Sequence, residues 1–107
     1  MKRYGMMVKV KPEKSEEYIR LHAAVWPKVL DMIKQCNIQN YSIYHRDDLL
    51  FSYFEYTGED FDADMKKMAA DPTTQEWWAV CTPCFDAPDS AEEKKWWIEM
   101  EEIFHLD

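Results

Sequence analysis

Two apolar-rich segments, residues 38–45 and 49–56, are separated only by the polar triplet Arg46-Asp47-Asp48. No other feature constrains the fold as strongly. Strands joined by so short a turn pair antiparallel, as a β-hairpin. Each strand sends alternate side chains to opposite faces. Tyr41 and Ile43 share one face of the first strand, and Leu50, Ser52, Phe54 and Tyr56 share one face of the second.

The flanking sequence supplies the remaining layers. Tyr4, Met6, Val8 and Val10 repeat at period two, which predicts a strand over 4–10. Pro12 follows where a helix should open, with Glu13, Glu16 and Glu17 near its positive end. The helical pattern runs over about 13–35, and Pro27 predicts a kink or two helical pieces meeting near Trp26. After Gly58, the spacing of Phe61, Met65, Met68 and Ala69 predicts a further helix, ended by Asp71-Pro72. Thr73-x-x-Glu76 reads as a capping box opening another. Residues 82–93 read as a loop and 94–107 as a last strand. The order β, α, β, β, α, β is the split-βαβ, ferredoxin-like arrangement, an α+β fold with helices on one face of an antiparallel sheet. The other face needs a cover, and a second subunit is the economical one.

With 107 residues, the chain reads as a single domain over 1–107. Acids outnumber bases 21 to 13, for a formal charge of −8, which disfavours nucleic acid and anionic membrane surfaces as partners. No apolar stretch approaches the ~20 residues of a membrane span, and the N-terminus lacks a signal-peptide pattern. Three cysteines, Cys36, Cys81 and Cys84, read as reduced thiols of a cytoplasmic protein. Two glycines exclude a Gly-rich phosphate loop.

Five Trp, six Tyr and five Phe are more than one small core needs, so some should line a pocket or an interface. His22 has Tyr18 four residues before it and Trp26 four after, on one predicted helix face. Imidazole exchanges protons near neutrality, so His22 is a candidate acid–base group. On periodicity alone the stripe reads more readily as a core face holding one satisfied histidine. Trp77 and Trp78 point about 100° apart on a helix, so one can anchor the core while the other faces a pocket or an interface. Indoles stack on the C–H faces of sugars. Tyr41 needs a partner for its phenol if buried, and a ligand, solvent or a backbone group would serve. Trp96-Trp97 reads as a core or subunit contact. Cys81-Thr82-Pro83-Cys84 has C-x-x-C spacing, but it ends a predicted helix rather than opening one, which is the wrong context for a redox site. There is no clustered metal-ligand motif.

Taken together, Glu17-Tyr18-x-x-x-His22-x-x-x-Trp26-Pro27, Asn40-Tyr41-Ser42-Ile43-Tyr44, Trp77-Trp78 and Glu102-Ile103-Phe104-His105-Leu106 make a sequence that resembles the L-rhamnose mutarotases along nearly its whole length. The resemblance implies a ferredoxin-like domain that dimerises into an α/β barrel, and a cofactor-free, metal-free isomerase interconverting the α and β anomers of a 6-deoxy hexose. It implies His22 as the proton donor and Tyr18, Tyr41, Trp77 and Trp78 as sugar-binding residues. Residues 59–76 and 82–97 depart from the family pattern. They leave L-fucose open as a substrate beside L-rhamnose. A dimeric-barrel monooxygenase or haem-handling protein, and a non-catalytic sugar-binding module, are the alternatives from other classes.

Overall fold

The hairpin forms where its pattern places it. In the computed structural model, which describes residues 1–86 and 96–107, β2 (Ile38–Arg46) pairs antiparallel with β3 (Leu49–Tyr56) across a two-residue connection. Asp47 takes φ 54° there, a left-handed conformation that a short polar side chain tolerates. β1 (Lys2–Lys9) pairs with β3 and β4 (Ile98–Met100) with β1, both antiparallel, giving the order β2-β3-β1-β4. Helices α1 (Ser15–His22), α2 (Pro27–Gln35), α3 (Phe61–Ala70) and α4 (Pro72–Cys81) lie on one face. This is the ferredoxin-like α+β arrangement expected from the element order. Among the described residues no helix is long and apolar enough to cross a membrane.

Alternation decides which residues meet the helices. Tyr4 and Val8 of β1 and Leu50, Ser52, Phe54 and Tyr56 of β3 are all buried beneath them. On β2 the alternation is interrupted. Gln39 pairs with Glu55 and Ser42 with Tyr53, so Asn40 and Tyr41 together face Phe54 across a β-bulge. Asn40 sits at φ 50° to make room. Gln39 and Asn40 both donate to the Glu55 carboxylate, at 3.2 and 2.7 Å, on the open side of the sheet. Tyr41 thereby returns to the helix side, where its ring lies 5.4 Å from that of Phe54.

The predicted break at Pro27 is two helices rather than a kink. α1 stops at His22 and α2 starts at Pro27, with Trp26 extended at φ −61° and ψ 133° as the residue before a proline prefers. The capping box expected at Thr73 is not the start of α4. Asp71 caps that helix, accepting from the Thr74 backbone N–H at 2.9 Å and the Thr74 hydroxyl at 2.8 Å. Pro72 fits the first helical position, where no N–H is needed, so the helix opens before Thr73 is reached. Within the expected loop over 82–93, Thr82–Cys84 form a 3-10 turn and Phe85 bridges Val10; residues 87–93 lie outside the described residues.

The last strand is shorter than expected. Only Ile98–Met100 pair with β1, and residues 101–107 carry no regular structure and are exposed. Residues 94 and 95 lie outside the described residues. Trp96 and Trp97 are half-buried, each ring 5.9 Å from that of Phe85, which agrees with the core-contact reading.

Candidate active site

The site is built where α1 ends beside α4. Tyr18 is buried on α1, and its ring stacks on the His22 imidazole at 4.1 Å. Trp77, buried on α4, meets His22 edge-on at 5.3 Å and Trp26 edge-on at 5.2 Å. Edge-to-face contacts of this kind fix ring orientation as well as burying area. His22 is thus held on two sides by rings and remains half-buried.

The imidazole is also oriented by a hydrogen bond. Its Nδ1 lies 2.9 Å from the Tyr18 backbone carbonyl. A carbonyl only accepts, so Nδ1 carries the proton and donates. In the neutral ring Nε2 is then left with its lone pair. Burial lowers the His22 pKa, and the bond to the Tyr18 carbonyl offsets this only in part. The neutral form with a basic Nε2 is therefore the resting one near pH 7.

Two phenols complete the polar lining. Burial raises the Tyr18 pKa well above its ordinary value, with Tyr41, Cys81 and Cys84 near enough to add to the shift. Tyr41 keeps 41% of its surface accessible, while burial pushes its phenol up to about 12, with Cys81 contributing. A ring whose polar end is enclosed and whose flank is open has both properties. Both phenols remain protonated and can donate to a neutral oxygen.

The structure therefore brings Tyr18, His22 and Trp77 into direct contact and sets Tyr41 across from them on the sheet. Trp78 is placed differently. It is 42% exposed on α4, and its ring makes no aromatic contact among the described residues. Trp26 is a wall residue that the helical pattern assigned only to a stripe; the signal lay in Pro27, which forces Trp26 out of the helix. Cys81, one turn beyond Trp77, is the other addition. Its thiol is buried and pushed up to about 12 by desolvation, which makes it a wall rather than a nucleophile. Cys84 is also buried and unbridged, its thiol 3.9 Å from a Glu17 carboxylate oxygen. Among the described residues no three His, Cys, Asp or Glu side chains cluster as metal ligands would.

Comparison with known proteins fits this geometry. The family model for L-rhamnose mutarotase matches residues 3–106. The chain belongs to the L-rhamnose mutarotase family. It is 33% identical over 110 residues to an L-rhamnose mutarotase from Phocaeicola vulgatus and 30% identical over 109 residues to one from Oceanobacillus iheyensis, with all of both chains covered in each case. Among solved structures, an L-rhamnose mutarotase from Formosa agariphila superposes with a TM-score of 0.78 at 18% identity, and tetracenomycin F2 cyclase from Streptomyces glaucescens with 0.69 at 16%, each over the full length of both chains. The likeness to the cyclase shows that this fold also carries other chemistry. Family membership favours the mutarotase reading over the monooxygenase, haem-handling and non-catalytic alternatives.

Proposed function

We propose that this chain interconverts the α and β anomers of L-rhamnose, with His22 carrying the proton. The observation behind this reading is the Nδ1–H bond to the Tyr18 carbonyl, which leaves the Nε2 lone pair to act as a base on a ring stacked against Tyr18. Nε2 takes the proton of the anomeric hydroxyl. The oxygen's electron pair closes the C1 carbonyl as the bond from C1 to the ring oxygen breaks. The ring oxygen keeps that bonding pair and receives a proton back from the imidazolium. Rotation about C1–C2 and the reverse steps close the ring on the other face. Proton transfer of this kind is typically worth ~10²–10⁴-fold. Tyr18 and Tyr41 donate to sugar hydroxyls, Trp77 offers the stacking wall, and Trp78 contributes from the exposed side of α4.

The reading places the single domain over 1–107 in the cytoplasm and pairs it as a homodimer through the open face of the sheet. The support for pairing is an apolar band on that face. Tyr44, Phe51, Met7 and Ile98 lie in register in one row, and Tyr53, Gly5 and Met100 in the next. The buried, unbridged thiols fit a reducing compartment.

The test is saturation transfer between anomer signals by proton NMR, over L-rhamnose, L-fucose and ordinary hexoses. Exchange should be fastest for L-rhamnose. L-fucose exchanging faster would reassign the substrate, and no acceleration for any sugar would remove the reading.

A further inference from the structure

Helical spacing alone does not account for the place of Trp26. In an uninterrupted helix a residue covers the surface over the turn before it, so residue 26 would lie over His22, four places earlier. The chain does otherwise. α1 stops at His22 and α2 opens at Pro27, whose ring holds the preceding residue extended, at φ −61° and ψ 133°. The Trp26 indole is carried instead to Trp77 on α4, edge-on at 5.2 Å with 69° between the planes.

The contacts form a chain of four rings. Trp26 meets Trp77, Trp77 meets His22 edge-on at 5.3 Å and 64°, and His22 stacks on Tyr18 at 4.1 Å and 27°. Tyr18 holds the imidazole twice, by its ring and by its carbonyl, which lies 2.9 Å from Nδ1. Trp77 is the contact from the other helix. It is buried, with the half-buried Trp26 packed against it. An imidazole turns about two side-chain bonds. A half-turn about the second takes Nδ1 off the carbonyl, and with it the bond that sets which nitrogen carries the proton. The edge of Trp77 stands against that turn, and Trp26 stands behind Trp77.

We infer that Trp26 is a positioning residue: acting through Trp77, it keeps the His22 imidazole on the Tyr18 carbonyl, with the Nε2 lone pair turned to the sugar. The inference rests on the function proposed above for the presence of that sugar, and its test separates the two. Long-range proton–nitrogen correlation spectra of the isotopically labelled full-length chain, at a pH where His22 is neutral, report which ring nitrogen holds the proton. The wild type should hold it on Nδ1. Trp26→Leu keeps apolar bulk but loses the ring, and should show the two tautomers mixed. Trp26→Phe keeps a ring against Trp77 and should restore the wild-type signal. In saturation transfer with L-rhamnose, Trp26→Leu should lower kcat by ~10- to 100-fold, the scale of a small misplacement of a reacting group, with KM within a few-fold. A folded Trp26→Leu chain with the wild-type tautomer overturns the positioning role and leaves His22 as the base. A raised KM at unchanged kcat overturns it as well, because Trp26 would then only line the sugar pocket. A Trp26→Phe chain as poor as Trp26→Leu overturns the ring contact as the cause. A wild-type His22 protonated on Nε2 overturns the inference whether or not any variant folds. Tautomers that move as expected in a protein that accelerates no sugar remove the proposed function and leave the positioning of the imidazole standing.

Discussion

The two faces of the sheet are made by the same strands and differ in what surrounds them. On the helix side Tyr41 lies near Tyr18, whose ring stacks on His22 beside Trp77, and the imidazole that would move a proton has one nitrogen held. On the open side Met7, Phe51, Tyr44 and Ile98 form an apolar band. Basic residues lie at one end, Lys9 and Arg46, and the Arg3, Glu55 and Glu102 group lies at the other. One face has the features of a reaction chamber and the other those of an attachment surface. Successive residues of one strand serve different ends, so each face can be altered without touching the other.

The largest expected effect comes from His22→Gln, which keeps hydrogen-bonding capacity but carries no proton near neutrality. Anomer exchange should fall by ~10²–10⁴-fold, with sugar affinity and dimerisation little changed. A folded His22→Gln protein exchanging at the wild-type rate would sink the mechanism. In the wild type the rate should drop as pH falls, because imidazolium has no lone pair at Nε2. The midpoint should lie below the ordinary imidazole value of ~6.5, since burial lowers it. Acid should also erode stability in that window, because the unfolded chain takes up the proton first.

Next in size is Trp77→Ala, which empties a buried position packed against the site and should cost ~3–5 kcal/mol in urea unfolding. Trp78→Ala, at an exposed position, should cost under ~1 kcal/mol while still weakening the fluorescence response to L-rhamnose. Equal losses of stability in the two variants would contradict the placement of these rings. On the open face, Phe51→Asp should dissociate the proposed dimer in light scattering and leave the exchange rate per folded chain within a few-fold. A loss as deep as that of His22→Gln would mean that the two faces are not independent. The smallest effect belongs to Cys81→Ser with Cys84→Ser, expected to hold exchange within a few-fold. Loss of exchange in that folded double variant would give the thiols a chemical part.

Much of the fold was legible because period two is hard to mistake. The hairpin, the buried faces of β1 and β3 and the interruption at Pro27 follow from residue type and spacing alone. Local signals that compete were harder to read. Asp71-Pro72 reads as the end of one helix and Thr73-x-x-Glu76 as the opening of the next, but the same Asp71-Pro72 also opens α4, because Asp71 caps it and proline needs no N–H partner there. The terminal strand was overextended because Ile103, Phe104 and Leu106 look like strand residues; a strand also needs a neighbour, and sequence spacing does not reveal where the neighbour stops. At the site, the spacing of Tyr18 and His22 was readable. The contact between Trp26 and Trp77 was not, since it joins two helices through a broken one.

The bulge at Asn40 has one more consequence. A substitution there changes a side chain, whereas a deletion changes the count. With Asn40 gone, Tyr41 alone stands opposite Phe54, and the ladder from Ile38 to Arg46 pairs one to one. Ile38 and Tyr41 keep the helix side, and Gln39 and Ser42 keep the open one. The loss of a single codon would thus straighten the strand and leave inside and outside unchanged, whereas the same loss anywhere else along β2 would cost it a paired residue.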